Sequence, residues 1–345
     1  MAIRTNRQIQ LAARPIGLPK VSDFKLVEVP VSSPGIGQIL TRTIYLSLDP
    51  YMRGRMSAGR SYAKPVEVGE VMTGGTVSQV IESNLGEYTP GDFVLGINGW
   101  QEYALSDGAN TTKLDPRQAP ISTAVGVLGM PGMSAHLGLL EIGKPKPGET
   151  VVVSAASGAV GAVVGQIAKI KGCRVVGIAG ATKKCEYVTT ELGFDACVSH
   201  LDDNFTKELK AMCPNGVDIY FDNVGGKVLD AVFPLLNDYA RVPVCGGIAN
   251  FNMTELPVGP NLVPRLMARI LVRRLTLRGF IVFDHDDRRE GFLKDVGGWV
   301  RSGQLKYKEH ITDGLENAVS AFQGLFSGEN FGKLLVKVSD DPTRS

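Results

Sequence analysis

The stretch Val151 to Lys171, VVVSAASGAVGAVVGQIAKIK, decides the fold of this chain. It opens with β-branched residues that suit a strand buried on both faces. It continues with a helical pattern that puts Val160, Val164 and Ile167 on one side. A second strand-like run, Arg174 to Gly180, follows the helix. The stretch therefore predicts a βαβ unit with a tight turn after its first strand.

That turn has the small residues that a dinucleotide site requires. Ala156, Gly158 and Gly161 hold the spacing of G-x-G-x-x-G, with alanine in the first place. A side chain in the second place would push a pyrophosphate away from the helix N-terminus, and one in the third would disturb helix–strand packing. A glycine-rich turn without a ligand has the same pattern, but the strand before and the helix after favour a dinucleotide site. The predicted cofactor contacts in the turn are Ala155, Ala156, Ser157, Gly158, Ala159 and Val160.

The end of the second strand indicates which dinucleotide binds. An NAD site normally places an acidic residue about 20 positions after the glycines, where it accepts from the ribose 2′-OH. This chain instead has Lys183 and Lys184 there, and the first acidic residue after the glycines is Glu186. Positive charge suits a 2′-phosphate, so the sequence predicts NADPH. The alternative is that both lysines are ordinary solvated residues at the start of the next helix.

Length and composition exclude several classes of protein. A chain of 345 residues predicts two domains with ample core. The 37 basic and 35 acidic residues give no electrostatic basis for binding nucleic acid or a membrane. The sequence predicts no signal peptide, and it has no run approaching the ~20 apolar residues that span a bilayer. The five cysteines are scattered without a C-x-x-C pair, which predicts a reducing compartment and a cytoplasmic protein.

The pattern of elements divides the chain into two kinds of structure. Short strands separated by turns occupy Phe24 to Leu114, which predicts a β-rich domain. From the central βαβ unit to Phe283, strand and helix alternate, which is typical of a doubly wound parallel sheet in an α/β protein. The tail from Lys306 should rejoin the first domain, because a helix and two strands cannot bury their apolar faces alone. The predicted domains are 1–130 with 303–345, and 131–302.

Four separated stretches resemble a known family. They are Tyr45 to Met56, Gly129 to Gly132, Phe221 to Gly226, and Asn330 to Lys333. They resemble the zinc-independent enone reductases of the medium-chain dehydrogenase/reductase superfamily, which include plant alkenal double-bond reductases and the prostaglandin and leukotriene B4 reductases. The resemblance implies a GroES-like catalytic domain, a Rossmann domain that binds NADPH, and a homodimer. It also implies hydride transfer from NADPH to the β-carbon of an α,β-unsaturated aldehyde or ketone, and protonation of the resulting enolate at the α-carbon. The sequence shows no cysteine and histidine placed as a catalytic zinc set, so no metal is expected.

The resemblance also assigns cofactor contacts outside the turn. Lys184 matches the family lysine that contacts the 2′-phosphate, and His200 stands where a tyrosine usually shares that phosphate. Asn223 and Asn330 match asparagines near the cofactor. The alternatives are a surface-loop role for His200 and a turn role for Asn223. The remaining predicted contacts, of which the last three also fit a core strand, are Pro131, Gly180, Cys245, Gly246, Ile248, Phe280, Ile281 and Val282.

Three residues are predicted to face the substrate. Tyr51 is the candidate catalytic hydroxyl, because tyrosine can donate to an enolate oxygen while its ring packs against a flat substrate. The alternative is a strand-end tyrosine packed on Met52 or Met56. Met130 is predicted to form an adaptable apolar wall. Phe251 occupies a catalytic position where many family members carry a tyrosine, and it keeps the ring without the donor.

Two other functions remain open at this point. A quinone reductase of the same superfamily would use the same cofactor site. A catalytically idle NADPH-binding protein would also fit, with Phe251 as the sign of lost activity. The predicted dimer contact is an edge of the Rossmann sheet at the apolar run from Ile281 to Phe283.

Overall fold

The computed structural model describes residues 4–256 and 259–344, which form two compact units. The first unit comprises the chain through Gly129 together with the segment from Glu309 onward, and the second runs from Met130 to Lys308. These limits differ slightly from the predicted ones. The segment before Glu309 belongs to the second unit because the Lys306 backbone exchanges two hydrogen bonds with the Gln166 side chain, at 2.7 and 2.9 Å. Residues 1–3, 257–258 and 345 of the predicted domains lie outside the described residues.

The first part of the β-rich unit consists of short strands and one short helix. In chain order these are β1 (Thr5–Leu11), β2 (Phe24–Pro30), β3 (Ile39–Ser47), α1 (Tyr51–Arg55), β4 (Thr76–Ser83), β5 (Phe93–Gly96), β6 (Tyr103–Ser106) and β7 (Thr112–Leu114). Strand β3 is buried along nearly its whole length and pairs antiparallel with both β4 and β6. It is therefore the central strand of this unit.

The second unit alternates helix and strand. Its elements are α2 (Met130–Leu137), which continues into a π-helical segment at Gly138–Gly143, β8 (Thr150–Ser154), α3 (Gly161–Ile170), β9 (Arg174–Ala179), α4 (Thr182–Thr190), β10 (Ala196–Ser199), α5 (Phe205–Met212), β11 (Val217–Phe221), α6 (Gly226–Val232), β12 (Leu236–Val244), α7 (Val263–Arg273), β13 (Thr276–Gly279) and α8 (Arg289–Arg301). None of the helices in the described chain is long and apolar enough to cross a membrane.

The strands of the second unit form one parallel sheet. In the residues described, its order is β10-β9-β8-β11-β12-β13. The predicted doubly wound sheet is thus confirmed. The chain moves outward from β8 in one direction and then returns to β11 on the other side, so the order reverses between these two strands. Ligands of such sheets bind at this reversal, beyond the carboxyl ends of the strands.

The tail joins the sheet of the first unit. It contains β14 (Glu309–Asp313), α9 (Ala318–Ser327) and β15 (Lys333–Lys337). Strand β15 pairs antiparallel with β3, and β14 pairs parallel with β15, which gives the order β14-β15-β3-β4-β5-β7 with β6 also on β3 within the described part. Helix α9 covers this sheet through Phe322, which packs in one core cluster with Leu46 of β3 and with Leu334 and Val336 of β15.

One predicted strand ends earlier than the sequence suggests. The apolar run Leu275 to Phe283 predicts a single strand, yet β13 ends at Gly279 and a 3-10 helix spans Val282–Arg288. The change follows from a turn, in which the Asp284 N–H donates to the Ile281 carbonyl at 3.1 Å. The run Ile281 to Phe283 is therefore not an edge of the sheet, and the edge strand at this end is β13.

Candidate functional site

The turn after β8 is a compact loop closed by backbone hydrogen bonds. The Gly158 N–H donates to the Ala155 carbonyl at 2.9 Å, and the Ala156 N–H donates to Ile178 on the neighbouring strand β9 at 3.0 Å. Ala155 has a left-handed backbone with φ of 50°, which is strained for a residue with a Cβ. Helix α3 begins at Gly161 without a side-chain cap. Such an N-terminus, with its positive dipole end, suits an anion.

The packing explains two of the three small residues of the fingerprint, Ala156 and Gly161. A Cβ on Gly161 would lie 2.3 Å from the Ala155 carbonyl oxygen, so only glycine fits there. Ala156 stands where the fingerprint has its first glycine. Its Cβ fits because the facing residue on β9 is Gly177, where an added Cβ would lie 2.9 Å from the Ala156 Cβ. The glycine at position 177 therefore allows an alanine at position 156.

Two further loops meet this turn at the same edge of the sheet. The backbone N–H and the side-chain amide of Asn223, just after β11, donate to the hydroxyl and the carbonyl of Ser154, both at 2.8 Å. After β12, the N–H groups of Cys245 and Gly246 donate to the Asp222 carbonyl at 2.9 and 3.1 Å. The structure thus brings the predicted residues Asn223, Cys245 and Gly246 next to the end of β8. Burial, with the nearby Asp222 charge, raises the pKa of the Cys245 thiol to about 12, so it stays protonated.

Asp222, which is not among the predicted site residues, holds this arrangement. Its Oδ1 accepts from the Tyr220 hydroxyl at 2.8 Å and from the N–H groups of Val224 and Gly225 at 2.9 Å each. Gly225 has φ of 71°, so the carboxylate fixes a turn that favours glycine. An aspartate followed three residues later by glycine is a recognisable turn signal, and it could have identified Asp222.

The predicted 2′-phosphate residues lie together beyond the end of β9. Lys184 is half-buried in the first turn of α4, and burial lowers its pKa, whereas Lys183 is exposed. The His200 Nε2 lies 3.5 Å from the position that a Cβ on Gly180 would take. Burial and then the Lys184 charge lower the pKa of His200, against a backbone hydrogen bond that raises it. The predicted residues Gly180, Lys184 and His200 therefore lie close together. Because the His200 imidazole is neutral, Lys184 is the main cation among them.

Lys184→Ala is expected to raise KM for NADPH about tenfold or more, because a hydrogen bond to a charged group contributes roughly 1.5–3 kcal/mol. KM for NADH should stay the same, since NADH lacks the 2′-phosphate. Steady-state kinetics with both cofactors measures this, with Lys207→Ala at an exposed position of α5 as the matched control that changes neither value. An equal loss for NADPH and NADH would contradict a phosphate-binding role for Lys184.

The other predicted residues of the second unit lie at its strand ends and at the start of α2. Phe280 follows β13 and packs on the π-helical segment, where an added Cβ on Gly138 would lie 2.7 Å from its ring. Ile281 and Val282 continue into the 3-10 turn, and Val282 is buried. Met130 and Pro131 open α2, with the Met130 carbonyl accepting from the Ser134 hydroxyl at 2.8 Å. Ile248 begins a single 3-10 turn that is followed by the half-buried Phe251.

In the first unit, Tyr51 is the first residue of α1 and does not end a strand. Its half-buried ring packs against the core, and the Arg55 guanidinium lies 5.8 Å from the ring centroid. Over residues 4–256 and 259–344 its hydroxyl makes no hydrogen bond, so its proton is available for donation. Burial raises the pKa of Tyr51, and the charge of Asp49 raises it further. The hydroxyl is therefore a neutral donor at physiological pH.

A buried lysine fixes the backbone in front of α1. Lys333 on β15 donates through Nζ to the Leu48 carbonyl at 2.9 Å, to Asp49 Oδ1 at 3.0 Å and to the Leu334 carbonyl at 3.1 Å. Asp49 also accepts from the Ser47 hydroxyl. Lys333 is the first residue of the apolar strand KLLVK, and its pairing fits the rule that lysine is almost never fully buried without a partner.

Asn330 lies just before that strand. Its side-chain amide donates to the backbone carbonyl of Gly332 at 2.9 Å. The observed contact is therefore within its own turn. A cofactor contact for Asn330 stays a prediction.

Comparisons with known proteins agree with this fold. Residues 7–114 match a family model described as the N-terminal domain of oxidoreductase, and residues 159–296 match one described as zinc-binding dehydrogenase. Despite the second name, no three His, Cys, Asp or Glu residues in the described ranges lie close enough together to hold a metal ion. The chain is 54% identical to the NADPH-dependent curcumin reductase of Escherichia coli strain K12, over 97% of this chain and 98% of that protein.

Two further relatives extend the comparison. The NADP-dependent 2-alkenal reductase of Nicotiana tabacum is 40% identical, over 97% of this chain and 98% of that protein. A crystal structure of CurA from Vibrio vulnificus in complex with NADPH superposes with a TM-score of 0.95 at 51% identity, covering 97% of this chain and all of that one.

The chain belongs to the zinc-independent enone reductases of the medium-chain dehydrogenase/reductase superfamily. Its relatives in that family are NADPH-dependent oxidoreductases that act on carbon–carbon double bonds. Within the family, the sequence motifs resemble those of bacterial NADPH-dependent curcumin reductase, and the 54% identity to the Escherichia coli protein agrees with that resemblance.

Proposed function

We propose that this chain uses NADPH to reduce the C=C bond of α,β-unsaturated ketones and aldehydes, including curcumin-like enones. The observation that carries the proposal is the 54% identity to a curcumin reductase over nearly the full length of both chains. The test compares rates of NADPH oxidation, which are measured by the loss of NADPH absorbance. The three substrates are a simple enone, a curcumin-like diarylidene ketone and a quinone. Turnover that is fastest with the quinone would favour the quinone reductase, and NADPH binding without any turnover would favour the idle binding protein.

The residues of the second unit fit NADPH. The turn at Gly158 and Gly161 leaves room for a pyrophosphate at the start of α3, and Lys184 supplies a cation for the 2′-phosphate. When bound, NADPH supplies the hydride that reduces the β-carbon. Asp222 and Asn223 hold the loops along the carboxyl edge of the sheet in one conformation, so these residues act by orienting the cofactor.

We assign the electrostatic step to Tyr51. Hydride addition at the β-carbon leaves negative charge on the carbonyl oxygen, and a neutral hydroxyl donor stabilises that charge more in the transition state than in the substrate. The Tyr51 hydroxyl is such a donor because its pKa is raised and its proton is not used within the described chain. Met130 and Phe251 would supply apolar contact to the substrate.

Phe251→Tyr is expected to raise kcat for enone reduction severalfold, because it adds a second donor where many family members carry a tyrosine. Steady-state kinetics with an enone at saturating NADPH measures the change. Phe251→Leu is the matched control, since it removes the ring without adding a donor and should lower the rate. An unchanged or lower rate for Phe251→Tyr would contradict a substrate-facing position for this residue.

We also infer a homodimer formed through the β13 end of the parallel sheet. Helix α7 packs on β12 and leads into β13. It exposes 58% of Val263, 57% of Met267 and 77% of Leu271, and a second copy would cover these apolar residues. Light scattering should give twice the 36.9 kDa chain mass, and Met267→Glu should shift the protein to monomer. A wild-type monomer at micromolar concentrations would contradict the dimer.

We further infer a cytoplasmic location. All five cysteines are free thiols in the structure, which suits a reducing compartment. Cell fractionation tests this, and recovery of the protein outside the cytoplasm would contradict it.

A further inference from the structure

Two cysteines of the second unit lie in direct contact. Cys185 is in α4 and Cys197 is in β10, and their sulfur atoms are 2.9 Å apart, with the Cys197 thiol donating to Cys185. Both side chains are half-buried, whereas Cys173 and Cys213 are buried. Nothing in the proposed reaction uses this pair.

We propose that Cys185 and Cys197 form an oxidant-sensitive modification site, at which hydrogen peroxide produces a disulfide that weakens NADPH binding. A disulfide has an S–S length of about 2.05 Å, so closure requires the two sulfur atoms to approach by only about 0.9 Å. The two residues lie on adjacent elements that already pack together, so the displacement is confined to α4 and β10.

The chemistry balances with peroxide as the sole oxidant. The Cys185 thiolate attacks one peroxide oxygen and breaks the O–O bond, which gives a sulfenic acid and hydroxide. The Cys197 sulfur then attacks the Cys185 sulfur, the S–S bond forms, and the S–O bond breaks with loss of water. Two thiols and one peroxide thus give one disulfide and two waters. Cys185 suits the first step because the hydrogen bond from Cys197 lowers its pKa, against burial.

The link to the cofactor rests on the proposed function, through residues next to each cysteine. Lys184 directly precedes Cys185 in the first turn of α4, and Ser199 on β10 donates to the Gly180 carbonyl at 3.0 Å. His200 follows Ser199. Drawing α4 onto β10 therefore moves the predicted 2′-phosphate contacts relative to each other, and charge-assisted hydrogen bonds lose strength over such displacements.

The experiment treats the purified full-length chain with hydrogen peroxide, without cofactor, and counts alkylated cysteines by mass spectrometry after denaturation. The reduced protein should show five alkylated cysteines, and the oxidised protein should show three, with a Cys185–Cys197 cross-linked peptide that dithiothreitol reverses. Isothermal titration should then give a Kd for NADPH raised roughly five- to tenfold by oxidation, with the Kd for NADH unchanged.

Three variants complete the test. Cys185→Ser and Cys197→Ser should keep their NADPH affinity after peroxide, and dimedone should trap a sulfenic acid on Cys185 in Cys197→Ser. Cys213→Ala is the matched control, because it should oxidise like the wild type. Five alkylated cysteines after peroxide, or a disulfide with unchanged NADPH affinity, would overturn the proposal. Failure of the reduced protein to bind NADPH would instead count against the proposed function, and the thiol count would still stand.

Discussion

Tyr51→Phe is expected to lower kcat for enone reduction about a hundredfold, since removing one oxyanion donor typically costs roughly 10²–10³ in kcat. The change removes only the hydroxyl and keeps the ring that packs on the core of the first unit. KM for NADPH should stay close to the wild-type value. Steady-state kinetics at saturating NADPH, with the enone varied, measures the effect.

The stability of this variant separates catalysis from folding. In the part of the chain that the structure describes, the Tyr51 hydroxyl makes no hydrogen bond, so its loss should leave the unfolding transition unchanged. Tyr88→Phe is the matched control, because it removes a hydroxyl that donates to the Thr111 carbonyl at 2.8 Å and should leave kcat unchanged. A Tyr51→Phe enzyme with wild-type kcat would show that the charge on the carbonyl oxygen is stabilised by another group.

Lys333→Met is expected to lower the free energy of unfolding by about 3–5 kcal/mol, because it leaves the buried Asp49 carboxylate without its cation. The side chains of this pair are only 5% and 8% exposed, so water cannot replace the lost partner. Activity should fall as well, because Leu48 and Asp49 lie three and two positions before Tyr51, the first residue of α1. Chemical denaturation followed by circular dichroism measures the stability.

Two further variants test the cause of that loss. Lys337→Met on the same strand removes a lysine paired with the exposed Asp340, and such surface pairs contribute about 0–1 kcal/mol. Lys333→Met combined with Asp49→Asn should recover part of the stability, because the second change removes the unpaired charge. If Lys333→Met is no less stable than Lys337→Met, the buried pair does not stabilise the turn before Tyr51.

Local sequence patterns were sufficient to predict the fold of the nucleotide-binding unit. The run Val151 to Val153 and the small residues after it require a buried strand and a tight turn whatever the rest of the chain does, and the structure has both. The first place of the fingerprint was harder to interpret, because the space for Ala156 depends on Gly177 in a neighbouring strand.

The features that the sequence did not predict depend on contacts between distant residues. Lys333 and Asp49 are separated by 284 positions, and only the pairing of β15 with β3 brings them together. Likewise, Cys185 and Cys197 meet because α4 packs beside β10, a strand that the local sequence pattern does not predict. The shortened β13 has a different cause, since the turn at Ile281 interrupts a run whose composition alone favours a strand.

The central claim is that hydride passes from NADPH to the β-carbon of an enone. The most direct measurement uses NADPH deuterated at nicotinamide C4, in the transferred position, with an α,β-unsaturated ketone and NMR of the product. We expect a saturated ketone with deuterium on the β-carbon and a solvent-derived proton on the α-carbon. Deuterium on a carbinol carbon, or no deuterium in the product, would contradict the claim.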